Sequence, residues 1–169
     1  MKNLKILSFM LALMACTFTF VSCGDDDEEE VSVTKDQLIG TWEMTHISGW
    51  FYDEDDNGNF VKRTVNIDVN DNTLEEFFKL DIFGEYWRYL FKQDVFIAYN
   101  VYYPTGSWQQ EFGVPYSLNG NKIIADYSYT TEVKVEYVVL SISANQLVLK
   151  SRGEVNKEDR NLTITYKRI

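Results

Sequence analysis

Oxygen-bearing side chains alternate in one short segment, at a spacing that could bind a metal ion. Asp53, Asp55 and Asn57 precede Gly58 and match the first half of the calcium-loop pattern D-x-D-x-N-G. Calcium takes about six to eight oxygen ligands, and side chains at alternate positions around a glycine turn supply several. Thr64 stands where the loop's final glutamate is expected. The alternative is a solvated hairpin turn set by Asn57-Gly58, which the sequence favours.

The sequence contains few of the side chains that covalent catalysis usually requires. His46 is the only histidine, and the two cysteines are Cys16 and Cys23. These numbers make Ser-His-Asp triads, Cys-His dyads and multi-histidine zinc sites improbable. Acidic residues are numerous, but none stands at a predicted strand end beside an activating partner. The sequence predicts a protein that is not an enzyme, and His46 is predicted to be structural or solvent-facing.

Aromatic residues are abundant and make up 15% of the chain. Indole and phenol rings suit lipid tails, aromatic compounds and sugar faces. The alternative is ordinary core and cross-strand packing, because β-rich proteins favour aromatic residues. The rings predicted to bind a ligand are Trp50, Tyr86, Trp87, Tyr89, Tyr99 and Trp108.

The charge of the chain argues against two kinds of partner. The formal net charge is −10, and the sequence holds no basic stripe of the kind that phosphate backbones require. Nucleic-acid binding is therefore not expected. The same acidity argues against adsorption to anionic lipid.

Residues 1–22 have the layout of an export signal. Lys2 and Lys5 give a basic start, and residues 6–20 form an almost unbroken apolar run. A membrane-spanning helix needs about 20 residues, so this shorter run suits the core of a secretory signal. The residues before Cys23 resemble the bacterial lipobox, with Phe20 in place of the usual leucine. The resemblance implies cleavage before Cys23 and acylation of this residue; a plain signal peptide or anchor helix is the alternative.

The segment after Cys23 is strongly acidic. Residues 25–30 are all Asp or Glu, and like charges keep such a chain extended, so residues 23–32 are predicted to be a tether. The run also resembles the export signal of surface-exposed lipoproteins in some Gram-negative gut bacteria. This resemblance implies an outer-membrane lipoprotein that faces outward and is held by its acyl chains. A periplasm-facing lipoprotein is the alternative.

From about Val33 onward, apolar and polar residues alternate and turn signals separate the runs. Alternation over residues 61–69 and 161–167 is typical of half-buried antiparallel strands. The absence of a long helical pattern predicts an all-β domain over residues 33–169, an up-and-down meander closed into a barrel of about 8–10 strands. The predicted strands are 40–51, 60–70, 74–82, 85–92, 94–103, 107–118, 121–129, 132–142, 146–152 and 160–168.

Two segments also carry helical signals. Thr73 and Glu76 have the spacing of a capping box, so a short helix is the alternative to the strand at 74–82. Residues 34–38 are predicted to form a single helical turn before the first strand.

An ordered series of short motifs resembles the lipocalin-like domains of secreted bacterial lipoproteins. The series comprises residues 38–42 (LIGTW), 83–86 (FGEY), 116–123 (YSLNGNKI), 140–149 (LSISANQLVL) and 165–167 (TYK). Gly40 and Trp42 match the Gly-x-Trp motif, whose tryptophan plugs the closed end of a lipocalin barrel. The Thr-Asp-Tyr run and the late barrel-closing arginine of lipocalins are not found. The resemblance implies non-covalent binding of a small apolar or amphipathic ligand in the cup. The alternative is a filled barrel that binds a surface protein or glycan.

Overall fold

The computed structural model describes residues 31–55, 57–80, 82, 84–102, 107–128, 133–155 and 159–169. The predicted signal peptide, the predicted lipidation site Cys23 and the acidic run lie outside these residues. The strands are β1 (Gly40–Glu54), β2 (Phe60–Asp68), β3 (Arg88–Phe91), β4 (Val95–Tyr102), β5 (Ser107–Asn119), β6 (Lys122–Asp126), β7 (Lys134–Ile142), β8 (Gln146–Glu154) and β9 (Arg160–Arg168). The helices are α1 (Lys35–Leu38) and α2 (Leu74–Phe78).

The strands form a closed antiparallel barrel, as predicted. Strands β3 to β9 pair in chain order, and β1 pairs with both β3 and β9, so that eight strands close the ring. Strand β2 is an extra strand, hydrogen-bonded to the second half of β1. Closure leaves few free edges, and this explains why consecutive hairpins without long helices favour a barrel.

Strand β1 faces two neighbours along the same edge because it is unusually long. Residues 40–43 pair with β3, whereas residues 46–54 pair with β2. A bulge between Met44 and His46 shifts its register against β9. One extra residue reverses the in-out alternation, so Trp42 and Met44 are buried before the bulge and Ile47 and Phe51 after it.

The segment between β2 and β3 differs from the predicted strand at 74–82. Residues 74–78 form helix α2, with Leu74 and Phe77 buried one turn apart, so the helical alternative is confirmed. Helical spacing of these two apolar side chains outweighs the strand pattern. The predicted capping box does not form, because the Thr73 hydroxyl donates to the backbone oxygen of Asp68. The predicted strand at 85–92 is also shorter, and begins at Arg88.

The predicted helical turn before β1 is confirmed as α1. The backbone N–H of Thr34 donates to Gln37 Oε1 at 2.8 Å, so a side chain satisfies one donor that the helix start would otherwise leave without a partner. Leu38 at the end of α1 is fully buried.

One end of the barrel is sealed around Trp42, and this end is called the base. The indole is fully buried, and its Nε1–H donates to the backbone oxygen of Leu38 at 2.7 Å. The guanidinium of Arg168 stacks on the indole, 4.1 Å from the ring centroid. Trp42 is therefore buried at the end of the barrel, and its role as a plug stays a prediction of the Gly-x-Trp resemblance.

Arg168 corrects the prediction that a late barrel-closing arginine is missing. It donates to the backbone oxygens of Ile39 at 2.6 Å and Gln37 at 2.7 Å, and so joins β9 to the end of α1. Gly40 has a φ of +133°, and a Cβ there would lie 2.5 Å from Arg168 Nη1. The glycine of the motif therefore makes room for the arginine.

Candidate functional site

The described side chains in the interior of the barrel pack closely against one another. Tyr89, Phe96 and Tyr166 are almost entirely buried. The Tyr89 ring centroid lies 4.9 Å from that of Phe96 and 5.6 Å from that of Tyr166. Rings in such contact leave no room for a guest molecule between them. Around these rings, the part of the barrel interior that the structure describes is a packed core, which differs from the open cup implied by the resemblance.

The chain just before β3 also occupies the interior. The backbone oxygen of Gly84 accepts hydrogen bonds from the hydroxyls of Tyr89 at 2.7 Å, Tyr137 at 2.7 Å and Tyr127 at 3.4 Å. Burial raises the pKa of all three phenols. Gly84 has a φ of +81°, a conformation that favours glycine. These contacts fix the 84–87 segment against the inner face of the barrel.

A buried ion pair lies next to this segment. Arg160 Nη1 is 3.3 Å from Glu85 Oε1, and the side chains are 6% and 0% exposed. Burial raises the pKa of the Glu85 carboxyl, and the charge of Arg160 opposes the rise. Glu85 Oε2 and the Ser151 hydroxyl have no hydrogen-bond partner within the described part of the chain. Glu85 is thus a buried carboxyl whose charge is compensated by Arg160, which makes the pair sensitive to substitution.

A glycine on β8 creates the space for this arginine. A Cβ at Gly153 would lie 1.5 Å from Asp159 Oδ1 and 2.8 Å from Arg160 Nε, and the residue has a φ of +83°. Both steric space and backbone conformation thus require glycine here. The same position allows the carboxylate of Asp159 to approach Arg160 Nε at 3.3 Å.

A pocket of about 290 Å³ lies at the barrel end remote from Trp42, and this end is called the mouth. It forms where β1 ends, β2 begins and β9 begins. The pocket is lined by Phe51, Tyr52, Asp53, Glu54, Phe60, Ile82, Asp159 and Arg160. Its walls combine apolar side chains with carboxylates and the guanidinium of Arg160.

Strand pairing explains why these distant residues meet. Phe51 pairs with Arg160 across β1 and β9, and the backbone N–H of Tyr52 donates to the Asp159 oxygen at 3.0 Å. Across the other edge of β1, Glu54 pairs with Phe60. Ile82 comes from the segment that follows α2 and closes the inner wall.

The aromatic residues predicted to bind a ligand do not gather in this pocket. Tyr89 points into the core, whereas Trp50 lies on the outer face of β1 with Lys62 Nζ 4.1 Å from its ring centroid. Trp87 is buried beneath the guanidinium of Arg88, which lies 4.4 Å from the ring.

The two remaining predicted rings whose side chains the structure describes add no second site. Tyr86 packs edge-on against Tyr89, with ring centroids 6.3 Å apart. Tyr99 is half-buried on β4, and the side chain of Trp108 lies outside the described residues. Ordinary core and cross-strand packing, the alternative interpretation of these aromatic residues, describes the rings whose positions are known better than a common binding surface does.

Most of the pocket-lining residues were missed because they come from four separate parts of the chain, and Asp53 was predicted only as a calcium ligand. The three aromatic residues at the end of the first strand, residues 50–52, indicated a possible binding site, but the sequence did not show which ring faces inward. Arg160 gave none, because a charged residue at a strand start is usually solvent-exposed.

The predicted calcium loop is organised as a turn. Asp55 Oδ1 accepts the backbone N–H groups of Asn57 and Asn59, both at 2.9 Å, and the Asn59 bond is the main factor that lowers the pKa of Asp55. Asp53 instead lies 2.8 Å from Arg63 Nε. Among the described residues no group of three or more His, Cys, Asp or Glu side chains could hold a metal ion. The geometry favours the solvated turn.

His46 lies on β1 beside Asp68 of the neighbouring strand β2. His46 Nδ1 lies 2.8 Å from Asp68 Oδ1 at the surface, and its side chain is 34% exposed, so the histidine is a half-exposed strand residue. Neither helix in the described ranges is long and apolar enough to cross a membrane.

The fold and the sealed base define a lipocalin-like barrel. Residues 38–149 match the lipocalin-like domain family, and the chain belongs to that family. A crystal structure of a lipocalin-like protein from Bacteroides uniformis ATCC 8492 is 17% identical, with a TM-score of 0.44 over 79% of this chain and 99% of that chain. A comparison with curated proteins finds no match. The family is generally a non-enzymatic binding fold.

Proposed function

We propose that this protein is a surface-exposed outer-membrane lipoprotein that binds a small amphipathic molecule non-covalently at its mouth pocket. The observation that carries the proposal is the pocket itself, where Phe51, Ile82 and Phe60 meet charged side chains. The close packing of the described interior side chains supports binding at the mouth rather than deep in the cup.

The size of the pocket limits the ligand. Ligand sites usually measure about 300–1,000 Å³, so a pocket of about 290 Å³ suits a small molecule or one end of a longer one. Burial of about eight methylene groups would contribute at most about 6 kcal/mol. This free energy corresponds to a Kd of roughly 40 µM, so modest affinity is expected.

The binding test uses residues 31–169 without lipid. The buried hydrophobic residues of the described chain lie between Val33 and Tyr166, and the barrel closes within this range, so the segment contains its own core. Calorimetric titration with an eight-carbon amphiphile should show saturable one-to-one binding. Absence of saturation up to millimolar ligand would refute the proposal.

Exposed apolar side chains allow a matched comparison of variants. Phe60 is 74% exposed, so Phe60→Ala should remove a pocket wall and weaken binding with little effect on folding. Ile169 is 56% exposed and follows β9 at the base, which makes Ile169→Ala the control. Equal affinities of the two variants would show that the ligand binds elsewhere.

The proposed anchor rests on the lipobox-like residues before Cys23 and on the acidic run after it. Cells that express the full chain would be fed an alkyne palmitate analogue, and the protein would be probed for label. Cys23→Ser should abolish labelling, whereas Cys16→Ser should leave it intact. Protease treatment of intact cells would then distinguish an outward-facing protein from a periplasm-facing one.

A second candidate is an interaction module for a surface protein or glycan. The packed interior and the exposed rings of Tyr52 and Phe60, 46% and 74% exposed, favour it. A pull-down from outer-membrane extract should return a partner that is lost with Tyr52→Ser and Phe60→Ser together and retained with Ile169→Ser. A result without such a partner would count against this candidate.

A further inference from the structure

We infer that the mouth pocket selects amphiphiles with a cationic head group, such as primary alkylammonium ions, over alkyl carboxylates. This inference rests on the proposed function, because it names the ligand class of the same pocket. Two observations support it: the charges of the side chains that line the pocket, and the ion pairs that these side chains already form.

Carboxylates outnumber cationic groups in the pocket lining. Asp53, Glu54 and Asp159 contribute three acidic side chains, against the single guanidinium of Arg160. Asp53 and Asp159 are each 38% exposed, so both carboxylates remain accessible to a molecule that enters. An incoming anion would therefore approach like charges.

Among the described lining residues, the cation Arg160 is already paired with acidic partners. Arg160 contacts Glu85 on its buried side and Asp159 beside the pocket, each at 3.3 Å. Its side chain is 6% exposed, so little of the guanidinium is accessible to a ligand carboxylate. Arg63 is not part of the lining, but its Nε lies 2.8 Å from a carboxylate oxygen of Asp53 and compensates that charge. An excess of negative charge still remains in the pocket.

The apolar walls determine the rest of the ligand. Ile82 and Phe51 are buried and Phe60 is mostly exposed, so an alkyl chain can lie between the inner wall and the rim. An ammonium head at the rim would then meet Asp159, which satisfies the rule that a charge leaving water needs a partner.

The test compares three ligands with the same eight-carbon chain: octylammonium, 1-octanol and octanoate. Each is titrated into residues 31–169 at low ionic strength. Octylammonium should bind at least about fivefold more tightly than octanoate, a ratio consistent with partly exposed ion pairs. High salt should reduce the ratio, because screening acts on the head group and not on the chain.

Two isosteric variants localise the effect. Asp159→Asn should bring the octylammonium affinity close to that of 1-octanol. Asp94 is 80% exposed and pairs with Lys35 beside α1, far from the mouth, so Asp94→Asn should leave the ratio unchanged.

The outcomes separate this inference from the proposed function. Equal affinity for all three ligands, or tighter binding of octanoate, would overturn the charge selection and leave amphiphile binding intact. An unchanged ratio in Asp159→Asn would also overturn it. Failure of all three ligands to bind would refute the proposed function itself, and the inference with it.

Discussion

Substitution of Arg160 by methionine tests the ion pair that joins β9 to the segment before β3. Methionine keeps most of the length and apolar volume of the side chain but removes its charge. The carboxyl of Glu85, whose side chain is 0% exposed, would lose its cationic partner and stay within the barrel. Breaking a buried pair in this way costs about 3–5 kcal/mol, mainly because a buried charge loses its compensation.

The expected loss is large for a domain of this size. Each kcal/mol changes Tm by about 3–5 °C for a domain of roughly 140 residues. The melting temperature of Arg160→Met should therefore fall by about 10–20 °C. Lys122→Met is the matched control, because Lys122 lies 3.4 Å from Glu136 and is 46% exposed. An exposed pair contributes at most about 1 kcal/mol.

The pH dependence gives a second, independent readout. The pKa of Glu85 is raised by burial, so in the interval above the ordinary carboxyl pKa the folded protein holds more protons than the unfolded chain. Stability therefore falls as pH rises through that interval. Without Arg160 the pKa of Glu85 should rise further, so the deficit of Arg160→Met should shrink as the pH is lowered from neutral.

Urea unfolding monitored by tryptophan emission, at neutral and mildly acidic pH, measures both effects. The double variant Glu85→Leu/Arg160→Met should recover much of the lost stability, because it leaves no buried charge. A single variant that loses less than about 1 kcal/mol would refute the reasoning. So would a double variant whose loss equals the sum of the two single losses.

Three further predictions concern the packed barrel. Trp42→Ala should cost about 3–5 kcal/mol in urea unfolding, and a melt that hardly moves would remove its role as the base plug. Gly49→Ala should cost about 2–4 kcal/mol, since φ is +130° and the added Cβ would lie 2.1 Å from the Asn161 oxygen. Gly120→Ala, with φ of +60° and no atom within 4 Å, should lose only about 1–2 kcal/mol. Tyr137 and the other buried tyrosines should remain un-ionised in ultraviolet titration of the folded protein at about pH 11, because burial raises their pKa; full ionisation without unfolding would contradict their burial.

The alternation of apolar and polar residues predicted the strands well where one face of the strand packs on the core. Val65 and Val69 are buried and alternate with exposed neighbours, as the period-two pattern over residues 61–69 predicts. The bulge near His46 could not be read from the sequence, since it reverses the alternation without a glycine or proline at the site. Helix α2 was ambiguous for a related reason, because a few apolar residues fit either period.

The site was harder to predict because it depends on long-range pairing. Phe51 and Arg160 are neighbours only after β1 and β9 close the barrel, and no local rule relates them. Arg168 was overlooked for the same reason: its partner Trp42 stands at the other end of the domain sequence, and an arginine near the last residue reads as a solvated side chain. Aromatic density indicated a core correctly but could not say which rings face outward.

The positions of the first and last described residues have a practical consequence for orientation. Helix α1 packs at the base, where Leu38 accepts the hydrogen bond of Trp42, and the backbone N–H of Ile169 donates to the Thr41 oxygen at 3.0 Å. Helix α1 and Ile169 therefore both lie on the side of the barrel away from the pocket. A sensor chip, resin or bilayer that holds the domain by either end leaves the mouth directed toward the surrounding solution, with its rim unobstructed by the support.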